Sequence, residues 1–524
     1  MKKIVNISLI FILVVLSACT DLDLTPQNDL TPDVFFTEDD AYERFLTRIY
    51  AGLAVTGQQG PAGNADIKSL DEGFSQYLRQ YWQLQELPTD EAIIAWNDDG
   101  LPDLSNHTWS SSNQFVRAIY YRIFFQVSLA NEFLRESTDD KLDSRGVSEE
   151  VKAEMPAFRA EARFLRALSY WHGIDLFGNI PFYTEEQAIG GSAPRQAGRE
   201  EVFNFLISEL QEIEADMVAP GANRYGRADR AAVWMLQAKL FLNGEVYTGK
   251  PYFTECIAAC NKVISSGAYS LQETYQHLFL ADNHLSPEVI FSINFDGNST
   301  QTFGGTTYLV HAAIGGNMDA ANYGVNNGWG GLRTTSALVD LFPDETGGID
   351  ERAIFYTEGQ TKAIESVGEF TNGYAVPKYQ NVTSEGAPGS DLTFADTDYP
   401  VFRLADAYLM YAEAVLRGGQ GGDAATAVGY VNQLRQRAYN GSTGNISADG
   451  LTLDFILDER ARELYWEGHR RQDLVRYNLF TENGVWPWKG GTQEGKPTAA
   501  FRNLYPIPAN DLLANPNLEQ NPGY

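Results

Sequence analysis

The chain has 524 residues, enough for several domains or one large body, and 44% hydrophobic with 12% aromatic residues supply an ample core. Its formal charge is −30, with 39 Lys and Arg against 69 Asp and Glu. That balance excludes the clustered positive surface that nucleic-acid phosphates require and leaves a neutral ligand open.

The chain opens with Lys2 and Lys3, then an apolar run over residues 7–16 that is short for a membrane span. Leu16-Ser17-Ala18-Cys19 follows and resembles a bacterial lipobox. Small residues before the cysteine admit the lipoprotein signal peptidase, and the thiol takes the lipid. The alternative is an ordinary secretory leader with an incidental cysteine. The reading gives a leader at 1–18, a tether at 19–32 with two prolines, and one body from 33 to 524. Loss of Lys2 and Lys3 takes the charge from −30 to −32.

Apolar residues at spacings of three and four predict helices over 39–53, 115–134 and 200–217. The clearest is the run AEARFLRALSYWHGIDLFGNIPF from Ala160. Phe158, Ala162, Leu165, Leu168 and His172 mark its apolar face, and Arg159, Arg163 and Arg166 form a second face that should meet acids or water. Gly178-Asn179 and Pro181 end it. Residues 228–246 and 253–265 form a helix pair around the turn Gly249-Lys250-Pro251. Cys256 and Cys260 read as buried thiols, without His or Cys partners at metal spacing.

Residues 52–73 and 86–103 read as loops, the second presenting Trp96 beside Asn97, Asp98 and Asp99. Composition changes over about 269–400, where residues 297–331 hold nine glycines, too many for a continuous helix. Short strands are expected at 289–295 and 306–310. Helix returns at 400–416, 424–439, 451–468 and from about Arg471. The terminal YPIPANDLLANPNLEQNPGY, with four prolines, is expected to be mostly irregular. The pattern is a helical body interrupted by a glycine-rich excursion, with no legible 34-residue register.

Several of these segments resemble the SusD/RagB family of outer-membrane nutrient-binding lipoproteins. They are the lipobox, the run from Ala160, YPVFRLADAYLMYAEA, ERARELYWEGHRRQDLVRYNLF and the terminal segment, in the family's order. ELPTDEAIIAW, EADM with GRADRAA, and NNGW bring the likeness closest to a starch-binding member. The resemblance implies a mostly α fold, a tetratricopeptide-like helix-pair scaffold with a loop-rich, irregular ligand-facing region. It implies a non-catalytic surface lipoprotein that needs no cofactor, captures starch or maltooligosaccharide and works with a TonB-dependent transporter.

A neutral oligosaccharide has apolar C–H faces and hydroxyl edges, so it asks for aromatic rings with forked polar groups beside them. Carried over by position, the family's three rings match Trp96, Phe303 and Trp329. Its arginine matches Arg79, and its asparagine matches Asp99, or Asp98 across a one-residue gap. Phe303 stands where the relative has a tyrosine, and an acid stands for the asparagine. The relative's calcium loop matches LFLADNHLSPEV, which keeps Asp282 but has His284, Leu285 and Ser286 in the acid-rich run. Asp396 or Asp398 would complete a remnant, against the six to eight oxygens calcium takes. Three other readings remain: the same scaffold binding a different glycan or a peptide, a protein-interaction scaffold with no ligand of its own, and a glycoside hydrolase. The hydrolase would need two carboxylates about 5–10 Å apart across a glycosidic bond, and no catalytic signature is present.

Overall fold

In the computed structural model, which describes residues 32–524 except 39, 62–64 and 188–189, helices dominate and strands are few and short. Residues 1–31, with the expected leader, the Cys19 lipid site and nearly all of the tether, lie outside the described residues. Among the described residues no helix is long and apolar enough to cross a membrane.

The helical body begins with α1 (Ala41–Ala54), α2 (Tyr77–Glu86), the two-residue strand β1 (Ile93–Ile94), α3 (Gln114–Glu136) and α4 (Glu149–Phe177). It continues through the hairpin β2 (Ile180–Phe182) and β3 (Arg195–Ala197), α5 (Arg199–Ile213), α6 (Arg230–Leu242) and α7 (Phe253–Ser265). The excursion carries β4 (Val289–Ile293), α8 (Gly305–Ala312) and β5 (Leu332–Arg333). Then follow β6 (Tyr399–Arg403), α9 (Leu404–Leu416), α10 (Ala424–Ala438), α11 (Leu453–Leu464), α12 (Arg470–Arg476) and the short α13 (Ala509–Ala514). Helices pack in successive pairs, α3 on α4, α4 on α5, α6 on α7 and α9 on α10, as a tetratricopeptide-like scaffold does.

Local chemistry explains the boundaries. Ser148 caps α4 by accepting from Val151 N, so the helix starts eleven positions before the clearest run and passes through Pro156. It stops at Gly178, whose φ of +72° favours glycine and whose absent Cβ leaves room for Leu504, 2.8 Å from where it would lie. Arg163 pairs with Glu209 and with Glu212 at 2.6 Å, and Arg166 pairs with Glu209 at 2.7 Å, so the arginine face of α4 meets acids on α5. Cys256 and Cys260 are buried free thiols on α7.

Four expected elements differ. Residues 306–310 form the middle of helix α8, not a strand. All eight of its residues are buried, and a short apolar run buried on every side has no period to separate helix from strand. Residues 399–403 form strand β6 rather than the start of α9, pairing antiparallel with β4 from Val289↔Arg403 to Ile293↔Tyr399. The helix expected to reach 468 ends at Leu464, because Trp466 adopts a φ of +63°. The helix expected over 228–246 breaks at Asn243 into α6 and a short turn of helix over Gly244–Thr248. α2 lies in a stretch for which the sequence pattern supplies no element, since all ten of its residues are buried.

Buried ion pairs staple the excursion to the helical body. Arg403 binds Glu288 at 2.8 Å, Glu463 at 2.7 Å and Glu467 at 2.7 Å, while Arg352 binds Asp350, Glu459 and Glu463. Three of these acids come from the single run ERARELYWEG. Removing one partner of such a network strands a charge at a cost of about 3–5 kcal/mol. A carboxyl pair does similar work at α2. Glu86 Oε1 accepts from Gly468 N at 2.6 Å and His469 N at 3.1 Å, and Glu91 Oε2 accepts from Trp466 N at 3.1 Å. Burial pushes both acids up, Glu91 to about 7, and each feels the other.

Candidate functional site

One glutamine joins the elements that carry the site. Gln76, the N-cap of α2, accepts from Arg79 N at 2.7 Å and from Gly305 N at 2.8 Å through Oε1. Its Nε2 donates to Leu53 O at 2.5 Å. The end of α1, the start of α2 and the start of α8 therefore meet at one side chain.

The β1–β5 ladder then sets two rings side by side. Ile93 pairs with Arg333, Ile94 with Leu332, and Ala95 N donates to Gly331 O at 2.9 Å. This places Trp96 against Trp329, ring centroids 6.3 Å apart and tilted by 41°. The Trp96 Nε1–H donates to the Trp329 carbonyl at 3.2 Å. Phe303 follows on the other side of Trp329 at 6.4 Å and 56°. All three rings lie in loops and are half-buried, so each keeps an open surface. Gly331 permits the approach: a Cβ there would sit 2.6 Å from Trp96 Cε2.

Arg79 reaches the same place from α2. Its Nη1 donates to Gly73 O at 2.9 Å and Phe303 O at 3.0 Å, and the guanidinium lies 4.3 Å from the Tyr308 ring centre and 5.9 Å from that of Trp96. Burial lowers its pKa, partly offset by Tyr308, Asp98 and Asp71. A cleft of about 380 Å³ opens beside it, lined by Asp71, Gly73, Phe74, Asp98 and Gln114. Of the two acids that match the family's asparagine, both exposed, the structure brings Asp98 to the rim of this cleft and not Asp99, whose carbonyl accepts from Gln114 at 2.7 Å.

Three side chains complete the site that sequence reasoning missed. Tyr308 supports Arg79 and meets Trp96 edge-on at 6.0 Å. His311 stacks under Trp329 at 4.6 Å and 20°, its ring nitrogens facing Asn327 O at 2.7 Å and Thr393 O at 2.9 Å; burial lowers its pKa. Phe394 backs Phe303 at 5.5 Å. The available signal was the GWGG run, since glycines flanking a tryptophan mark close backbone approach. Rings in sequence beside one guanidinium and one carboxylate suit a ligand with flat apolar faces and hydroxyl edges.

The acids matched to calcium do not fit an ion. Asp282 accepts from Ser384 N at 2.9 Å and from its hydroxyl at 2.6 Å. Asp396 accepts from Gly297 N at 2.7 Å and Ser390 N at 2.5 Å. Asp398 accepts from Phe295 N at 2.7 Å and the Tyr225 hydroxyl at 2.5 Å. Their oxygens already hold loops together. Among the described residues no group of three or more His, Cys, Asp or Glu side chains is arranged to hold a metal.

Comparison with known proteins places this architecture. Residues 349–524 match the model of the SusD family. The starch-binding protein SusD of Bacteroides thetaiotaomicron is 37% identical, an alignment that spans 100% of this chain and 99% of that protein. Among solved structures, a SusD superfamily protein from the same organism superposes with a TM-score of 0.71 at 20% identity, covering 92% of this chain and 99% of that one. Surface glycan-binding protein A from that organism, in complex with laminarihexaose, gives 0.69 at 19% identity, covering 92% and 99%. Identity of that order over the full length, on a shared fold, makes this chain a member of the SusD family.

Proposed function

We propose that this protein is a non-catalytic glycan binder that captures starch or maltooligosaccharide at the cell surface and passes it to a TonB-dependent transporter. A lipid on Cys19 holds it to the outer membrane. The observation that carries the reading is the run of rings Trp96, Trp329 and Phe303, with neighbouring centroids 6.3 and 6.4 Å apart, in a chain 37% identical to a protein named for starch binding.

A curved glucan lays successive sugar faces on successive rings, while Arg79 and Asp98 take hydroxyls at the edge. Phe303 offers a face without a hydroxyl, and Asp98 accepts hydrogen bonds where an asparagine would also donate. A full-length relative named for binding rather than for a reaction supports a ligand that leaves unchanged.

Isothermal titration of the mature chain with maltoheptaose tests this. Heat is expected from the native protein, and Trp96→Ala is expected to reduce it. No heat from the native protein, together with no retardation in starch-containing native gels, overturns the α-glucan assignment; a glycan array then identifies the ligand, another glycan or a peptide nutrient on the same scaffold.

A further inference from the structure

A groove on the helical body shares no residue with the cleft beside Arg79. It encloses about 840 Å³ between the outer face of α3, the chain leaving β2, and the C-terminal segment around α13. That size is within the range of sites for small organic ligands.

Tyr121, Phe124 and Phe125 stand at i, i+3 and i+4 on α3, one helical face. Tyr183 faces them across the groove. All four rings are half-buried, whereas the opposite face of α3, with Ile119, Ile123 and Val127, is closed in the core.

The groove also holds unsatisfied polar atoms. Tyr120 is 2% exposed, lines the groove, and its hydroxyl has no hydrogen-bond partner. Asp511 Oδ2, also buried, has none, while the Asp511 carboxyl interacts with Tyr121. Buried polar groups are nearly always paired, and leaving one unpaired costs about 1–3 kcal/mol. A donor and an acceptor in one groove ask for a ligand that supplies both.

Charge narrows the class. The groove's cation, Arg135, is already bound by Glu132 at 2.9 and 3.0 Å and lies over the Glu185 carbonyl at 3.4 Å. A second cation, Arg117, stands outside the lining and acts on Asp511, so both positive charges at the groove face its acids. Rings, a free hydroxyl and a free carboxylate oxygen match a neutral molecule with apolar faces and hydroxyl edges.

We propose that this groove is a second oligosaccharide site, in which Tyr121, Phe124, Phe125 and Tyr183 carry sugar faces while the Tyr120 hydroxyl and Asp511 carboxylate bind sugar hydroxyls. It is separate from the rings around Trp329 and stands independently of them.

The experiment titrates maltoheptaose and laminarihexaose into the full mature chain and into a Trp96→Ala/Trp329→Ala variant. The variant is expected to keep one site for at least one of these sugars. In that background Tyr121→Ala weakens binding about tenfold, the loss of one ring contact. Tyr120→Phe, which removes a single hydroxyl, weakens it about threefold while leaving thermal stability unchanged or raised. The proposal is overturned if the double variant binds neither sugar, which leaves the assignment of Trp96 and Trp329 standing, or if its binding ignores both tyrosine changes. It is equally overturned if Tyr121→Ala releases a co-purified transporter without affecting sugar, which makes the groove a protein surface. Binding lost with Tyr121→Ala but intact in the Trp96/Trp329 variant supports the groove and removes the function assigned to those rings.

Discussion

Arg79 and Phe303 are 224 positions apart, yet the Arg79 guanidinium donates to the Phe303 carbonyl oxygen at 3.0 Å. The same nitrogen donates to Gly73 at 2.9 Å, so one planar group fixes two loops while its face rests on Tyr308. Arg79 therefore positions a ring as well as presenting a polar edge. Lysine lacks the planar group that rests on Tyr308. Arg79→Lys is expected to lower stability by about 1–2 kcal/mol through lost hydrogen bonds and maltoheptaose affinity by about tenfold. Urea denaturation and titration calorimetry measure both, and unchanged affinity would remove the positioning role.

Gly331→Ala tests the spacing of Trp96 and Trp329 without touching a polar group. The new Cβ falls 2.6 Å from Trp96, so the indole must move. The expected result is a folded protein with altered near-ultraviolet circular dichroism and glucan binding weakened about tenfold or more. Native affinity in this variant would show that ring spacing is not what the ligand reads.

Asp98 and Asp99 give a paired comparison. Both are exposed, but only Asp98 lines the cleft and acts on Arg79. Asp98→Asn is expected to change maltoheptaose affinity at least threefold, the scale of one hydrogen bond. Asp99→Asn is expected to leave it within error. The reverse outcome would return the role to Asp99.

The Glu86–Glu91 pair carries a pH signature. Burial raises Glu91 from 4.5 to about 7, so folding takes up a proton between those values. Stability contributed by that proton is fully present below about pH 4.5, falls as pH rises toward 7, and is flat above. Glu91→Gln supplies the donor permanently. Its melting temperature relative to the native protein should therefore rise between pH 5 and pH 8. A constant difference across that range would show that the pair holds no such proton.

The helices with one buried stripe, such as α1, α3 and α7, were readable because burial on one face leaves a period of 3.6. The site's own supports were not. α2 and α8 are buried on all sides, so Arg79 sat on an unassigned segment, Tyr308 in an apparent strand and His311 just past its end. Two-residue strands such as β1 and β5 leave no alternation to detect. Trp96, Phe303, Trp329 and Arg79 were named through family likeness, and the choice of Asp98 needed coordinates, because adjacent acids on a turn differ only in direction. The acids matched to calcium show the same limit: Asp282, Asp396 and Asp398 look like ligands in sequence, whereas in space they accept from the backbone N–H groups of Ser384, Gly297 and Phe295, 102, 99 and 103 positions away.

The β1–β5 ladder has a consequence for how binding activity arises. Trp96 and Trp329 are joined across 233 positions, and their ladder is only two residues long. Closing so long a loop has an entropic cost that two pairs of strand residues cannot offset, so the segments meet only after their flanking helices have docked. Glucan binding should thus be the last property to return on refolding, in step with complete recovery of tertiary structure. A fragment spanning residues 269–400 would carry two of the three rings and no site.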